Sequence, residues 1–253
     1  MSKIILSKIP TRPPKNADKK TIKKKTEELA EKIGLYCEML YAEKKNSLLV
    51  VLQGMDASGK DGVAKSVFKF CPALNIDAHA FKKPTEEEMA HDFLWRVHKY
   101  APAKGQIKLF IRSHYEDILI QRVHQWIDDE KAARRMEAIN DFEKLLQESN
   151  GTTILKFYLH LSHERQLEKL EERKIEPDKQ WKYNAQDFEE SKLWDKYMRY
   201  YEAAFNGSAL PWHIVPSDTR WYRNYFVAQV VHETLKNLKP SFPLLLDDGK
   251  NKD

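Results

Sequence analysis

The stretch Gly54-Met-Asp-Ala-Ser-Gly59-Lys60-Asp61-Gly62 holds the residue types of a phosphate cradle at workable spacing. Its glycines let the backbone curl so that N–H groups converge on an anion, and the helix that begins there adds partial positive charge. Gly54, Ala57, Ser58, Gly59 and Gly62 are thus the expected phosphate-binding positions, with Lys60 reaching the phosphate as a point charge. The usual pattern continues with Ser or Thr, whose hydroxyl binds magnesium. Here Asp61 takes that place, and Asp56 lies inside the loop. Carboxylates beside a phosphate cradle make sense when a metal ion sits between them and the phosphates. The competing reading, a plain turn between strand and helix, leaves the lysine unexplained.

A second segment, Arg112-Ser-His-Tyr-Glu-Asp117, adds Arg112, Glu116 and Asp117. If it shares a rim with the loop, Asp117 joins Asp56 and Asp61 around one pocket. The three aspartates would then hold one or two Mg2+ ions, with Mn2+ as a substitute, while Lys60 and Arg112 place charge on the phosphoryl oxygens. Taken alone, Arg112 and Asp117 read as a salt bridge at a helix start. His114 also falls on this rim, but an ionised phosphate acceptor needs no general base. Later, Glu172 to Tyr183 holds Arg173, Lys174, Lys179 and Lys182 around Pro177. Its place suits a mobile lid that brings positive charge over phosphates; the alternative is a solvated charged loop.

These residues need elements to hold them. Helical spacing runs from about 18 to 44, and an apolar strand from Ser47 to Gln53 leads into the loop. A helix from Lys60 to about Phe70 follows, then strands at 75–81, 106–111, 153–159 and 212–215. Thr85-Glu-Glu-Glu88 is a capping box opening a helix to about Tyr100. Further helices are expected from Glu116, from Lys131 to Ser149, after Ser162, from Gln186 to Phe205 with Trp194, Tyr197, Tyr201 and Phe205 as a core stripe, and from Thr219 to Leu238. Alternating strands and helices imply an α/β fold with a five-stranded parallel sheet, whose ligands bind at the strands' carboxyl ends. That rule puts the loop, Lys82-Lys83-Pro84 and Arg112–Asp117 on one rim.

The chain has 253 residues and a formal net charge of +5, enough for one sizeable domain. The expected division is a single domain with a basic arm and helix over 1–46, a helical lid over 165–205 and a disordered tail over 240–253. Arg12, Lys15, Lys19, Lys20 and Lys23 to Lys25 make the arm attractive to polyanions. No apolar run is long enough to span a membrane, the N-terminus reads as too short for a secretory signal, and Cys37 and Cys71 lack metal or redox spacing. A cytoplasmic protein with no membrane partner is the expectation. A basic nucleic-acid-binding protein would explain the arm, but not carboxylates that repel a phosphate backbone. An ATP-dependent nucleoside monophosphate kinase would keep Ser or Thr after Lys60.

Taken together, the motifs resemble the polyphosphate kinase 2 family over about residues 18 to 238. Gly54 to Asp61 matches its G-x-D-x-x-G-K-D motif, Arg112 to Asp117 its R-S-H-Y-E-D motif, and Arg173, Pro177, Lys179, Trp181 and Lys182 its lid pattern. Phe81-Lys-Lys-Pro-Thr-Glu-Glu-Glu, His91 to His98 and Trp221-Tyr-Arg-Asn224 match as well. The resemblance implies a thymidylate-kinase-like P-loop kinase fold. It also implies Mg2+-dependent phosphoryl transfer between inorganic polyphosphate and purine nucleotides: AMP, ADP and ATP, with GDP and GTP as further candidates. Asp56, Asp61 and Asp117 would be metal-linked, Lys60 and Arg112 would touch the phosphate in transit, and Arg173, Lys174, Lys179 and Lys182 would close over it. Lys65, Lys82, Lys83, Arg122 and the arm lysines would line a polyphosphate track. The implied assembly is a homo-oligomer, a tetramer.

Overall fold

The computed structural model describes residues 3–244. Five parallel strands form its sheet: β1 (Ser47–Gln53), β2 (Ile76–Ala80), β3 (Ile107–Ile111), β4 (Thr152–His160) and β5 (Trp212–Pro216), in the order β2-β3-β1-β4-β5. β1 is central, and Val50 pairs with Leu109 on one side and Leu155 on the other. Its run is continuously apolar because both faces are covered. Leu49 and Val51 face one core with Phe110 and Tyr158, whereas Leu48, Val50 and Leu52 face a second core with Ile107, Leu109, Val227 and Val231.

The second core is closed by α1 (Lys19–Glu43), α2 (Lys60–Val67) and α10 (Arg220–Leu238). The first lies under α5 (Glu116–Val123), α6 (Asp129–Asn150) and α9 (Trp194–Gly207). Asp18 and Ser162 cap α1 and α7 (His163–Ile175) through their side chains, and Gly151 ends α6 in the left-handed conformation. The expected strands and their parallel arrangement are all present.

Three helical expectations are corrected. The helix opened by Thr85 stops at Ala90 (α3, Glu86–Ala90) and restarts as α4 (Trp95–His98), because Asp92 Oδ1 accepts from the N–H groups of Leu94 and Trp95 at 3.0 and 3.1 Å. The aromatic helix is broken in two, α8 (Ala185–Ser191) and α9. Helix α2 ends at Val67, before Phe70. The basic arm is also less free than its charge suggests. Leu6 is buried, its N–H donates to Glu202 at 2.7 Å, and Thr11 donates to Asp218 at 2.8 Å. Lys20 and Lys23 to Lys25 are exposed along the first turns of α1. The tail expectation from 245 onward lies outside the described residues.

A buried polar network joins Tyr115, at the start of α5, to α6 and β4. Lys156 Nζ donates to Glu143 Oε2 at 2.6 Å and to Tyr115 Oη at 2.8 Å, and Tyr115 donates to Glu143 Oε1 at 3.0 Å. Both ions are fully buried. Glu143→Ala would strand the Lys156 charge, so destabilisation by about 3–5 kcal/mol is expected in urea denaturation. The double change to Met at both positions should cost clearly less, since it removes both charges.

Candidate active site

Between β1 and α2 the chain makes the tight loop that the glycines foretold. Ala57 and Gly59 take left-handed backbone angles, φ 63° and 95°. What the loop does with its carbonyls is the feature that organises the site. Lys60 Nζ folds back onto Gly54 O at 2.6 Å and Met55 O at 3.2 Å. Gln166 Nε2 donates to Asp56 O at 3.2 Å, Lys169 Nζ to Ala57 O at 3.3 Å, and Arg223 Nη1 to Ser58 O at 2.9 Å. Five consecutive carbonyls are thus held by side chains. Carbonyls held outward leave the opposite, N–H edge of the loop for an anion.

Gly59 is required for a second reason besides its φ. A Cβ there would stand 1.9 Å from Arg223 Nη1. The guanidinium occupies the space that any side chain would need.

Arg112 follows β3 in a left-handed conformation, φ 61°, and hydrogen bonds to Asp56 across the mouth of the loop. Together with Gly54, Glu116, Asn184, Gln186, Asp187, Glu190, Tyr197 and Tyr201 they line a cavity of about 190 Å³. Burial alone would push the Asp56 carboxyl up, but Lys60 and Arg112 outweigh it and hold it below its ordinary value. Glu116, half-buried beside it, is raised by desolvation despite the same two cations. Burial, reinforced by Arg112, pushes the Lys60 ammonium down to about 8.

The three aspartates do not converge. Asp61 is exposed on α2, 3.8 Å from Lys182 Nζ. Asp117 is buried away from the cavity, where Arg96 Nη2 donates to it at 3.0 Å and Gln121 Nε2 at 2.9 Å. Glu116, the preceding residue, faces the cavity instead. His114 also leaves the rim: it is fully buried, 3.3 Å from Glu143. Among the described residues no three His, Cys, Asp or Glu side chains gather as a metal site. Mg2+ asks for less than that, one or two carboxylates plus phosphate oxygens and water. Asp56 and Glu116 are the pair that fits this demand.

The remaining expected binders are spread out. Arg173 is in α7 rather than in a loop, and it is tied to Asp187 at 2.6 Å. Lys174 pairs with Glu171, and Lys179 with Glu172 and Glu176. Arg122 lies over the Tyr200 ring and donates to Asp129 at 2.6 Å. Lys65, Lys82 and Lys83 are exposed. Gln166, Lys169 and Arg223 escaped the sequence reading as site residues. Only the stretch around Arg223 gave a signal, Trp221 to Asn224.

A phosphate loop at the centre of a parallel sheet, faced by an arginine from the next strand and by basic helices late in the chain, defines a P-loop kinase fold. The chain belongs to the polyphosphate kinase 2 family, whose family model, Polyphosphate kinase 2, matches residues 16–243. It is 43% identical over 209 residues to the AMP/ADP-polyphosphate phosphotransferase of Meiothermus ruber, covering 81% of this chain and 78% of that protein. It is 38% identical over 221 residues to the ADP-polyphosphate phosphotransferase of Rhodopseudomonas palustris, covering 81% and 76%. The crystal structure of Polyphosphate Kinase 2 from Arthrobacter aurescens superimposes with a TM-score of 0.94 at 37% identity, over 98% of this chain and 91% of that one.

The carbonyl clamp yields a direct expectation. Gly59→Ala should displace Arg223 and rotate the loop, lowering kcat on the order of 100-fold, and it should also lower the melting temperature without abolishing the fold, because Ser58 O loses its donor and alanine is strained at φ 95°. Steady-state kinetics beside thermal unfolding checks this, and wild-type turnover in that variant would contradict the clamp.

Proposed function

We propose that the protein transfers a phosphoryl group between inorganic polyphosphate and adenine nucleotides, forming ATP from ADP. The observation that carries this reading is the meeting of the phosphate loop, Arg112 and two carboxylates at one cavity, in a chain of this family. The names of the relatives in Meiothermus and Rhodopseudomonas support the substrate pair. That the former name includes AMP supports AMP as a further acceptor.

In the proposed reaction the end of the phosphate chain rests on the loop's N–H groups. The terminal oxygen of ADP forms a new P–O bond to the last phosphorus, and the bond to the next phosphate of the chain breaks. The chain leaves one unit shorter. Lys60 keeps the carbonyls of Gly54 and Met55 and turns its third N–H to a phosphate oxygen, and Arg112 stabilises charge on the transferring group. Mg2+ held by Asp56 and Glu116 would neutralise phosphate charge when bound. Arg173, now held by Asp187, exchanges that carboxylate for phosphate as the lid segment closes.

The test is a mixture of protein, Mg2+ and ADP with and without polyphosphate. ATP should appear only with polyphosphate, and excess chelator should abolish its formation. ATP from ADP alone would point to an ordinary nucleotide kinase, and no ATP in either mixture would defeat the reading. In the same assay Asp56→Asn should lower kcat by about 100-fold or more with the fold retained. Near-normal turnover in a folded variant would remove Asp56 from the chemistry.

A further inference from the structure

Helix α8 brings Gln186, Asp187 and Glu190 to the cavity, yet its only buried side chain is a hydroxyl, that of Ser191. Polar contacts fasten the helix to its surroundings. Asp187 accepts from Arg173 at 2.6 Å, and Glu190 accepts from Tyr197 at 2.6 Å and meets His124 Nε2 at 3.1 Å. These bonds end on residues outside the phosphate loop. Ser191 reaches the loop through one intermediary. Its Oγ donates to Gln166 Oε1 at 2.9 Å, and Gln166 Nε2 donates to Asp56 O at 3.2 Å. Both side chains are 1% exposed, so water does not compete for either bond.

The relay has one direction only. Asp56 O can only accept, so the Gln166 amide must present its NH2 group there and its oxygen to Ser191. The single hydroxyl proton of Ser191 is thereby committed to Gln166. His163 Nε2, 2.9 Å from the same hydroxyl oxygen, must then carry a proton of its own and donate it. The His163 ring stacks on Trp194, the first residue of α9, with centroids 4.8 Å apart. What the relay holds is a strained residue. Ala57 has φ 63°, which costs a non-glycine residue free energy and persists only where the surroundings enforce it. The carbonyls on either side of its Cα are both gripped from α7, Asp56 O by Gln166 and Ala57 O by Lys169. The first of these peptides carries the Ala57 N–H on its opposite edge, the edge left for an anion.

We infer that Ser191 is a positioning residue: through Gln166 it fixes the Asp56–Ala57 peptide, so the seating of α8 beside the cavity and the aim of the loop's N–H groups change together. Ser191 does not line the cavity and acts only through Gln166. Without its hydroxyl, Gln166 Oε1 is buried with no donor, and the amide is free to turn that oxygen onto Asp56 O, where two acceptors repel. The effect on turnover rests on the proposed activity.

The test is a double-mutant cycle on the full chain, assayed with polyphosphate, Mg2+ and ADP. Ser191→Ala should lower kcat on the order of tenfold and shift either KM by less than about threefold, because a misaimed donor is felt most in the transition state. Gln166→Met should lower kcat at least as far, and adding Ser191→Ala to it should cost less than about twofold more. Additive losses in the double variant, or unchanged kcat in folded Ser191→Ala, overturn the inference. Ser191→Cys, close in shape and a weaker donor, is read in the same cycle if Ser191→Ala does not fold. Amide hydrogen exchange over residues 54–63, followed by mass spectrometry, needs no turnover. The Ser58 N–H, bonded to Met55 O at 3.1 Å, is a protected amide in that segment. Exchange there should quicken in Ser191→Ala while β5 is unchanged. If the unaltered protein transfers nothing from polyphosphate, the proposed activity fails and exchange still decides the coupling: faster exchange in the loop upholds it, and unchanged exchange overturns it.

Discussion

A peptide group presents its N–H and its C=O on opposite edges, so a loop can face an anion with donors only if its acceptors are fixed elsewhere. That constraint governs the region from Gly54 to Ser58. A phosphate placed near a free carbonyl would be repelled, and a carbonyl buried without a donor would cost free energy in every state of the protein. Lys60, Gln166, Lys169 and Arg223 meet both demands together. The left-handed turn at Ala57, the absence of a side chain at Gly59 and the burial of Arg223 follow from it.

The R-S-H-Y-E-D segment shows the same economy with two faces. Arg112 and Glu116 turn to the cavity, whereas His114, Tyr115 and Asp117 turn inward. Tyr115 and His114 reach Glu143 on α6, and through it Lys156 on β4. Asp117 holds Arg96, whose guanidinium also donates to Lys82 O at 3.0 Å, so the end of β2 is tied to the start of α5. Three of the segment's side chains therefore position the other two.

The central strand, the loop and the alternation of five strands with helices were legible because their signals are local: an unbroken apolar run, paired glycines, a capping box and a glycine helix end. The loop's clamps were not, because Gln166, Lys169 and Arg223 lie 110, 112 and 165 residues from the carbonyls they hold. Nothing in the spacing of a lysine on α7 tells which carbonyl it will meet. The exchange of Asp117 for Glu116 has a different origin. Adjacent helical residues point about 100° apart, so which one faces the cavity depends on the rotation of α5. Packing of Tyr115 against Glu143 and Trp212 sets that rotation, and the partners come from other parts of the chain. Asp92 broke one expected helix by a capping choice that the apolar pattern conceals.

Gln166, Lys169 and Arg173 are spaced by three and then four residues on α7, which places them along one face of a single helix over about 10 Å. The first two hold the loop and the third holds Asp187 on α8. A rigid rod gripped at one end cannot swing at the other without turning about its grip. Any displacement of Arg173 carried by α7 as a whole would therefore be transmitted as torque to the carbonyls of Asp56 and Ala57, with the phosphate loop as its fulcrum.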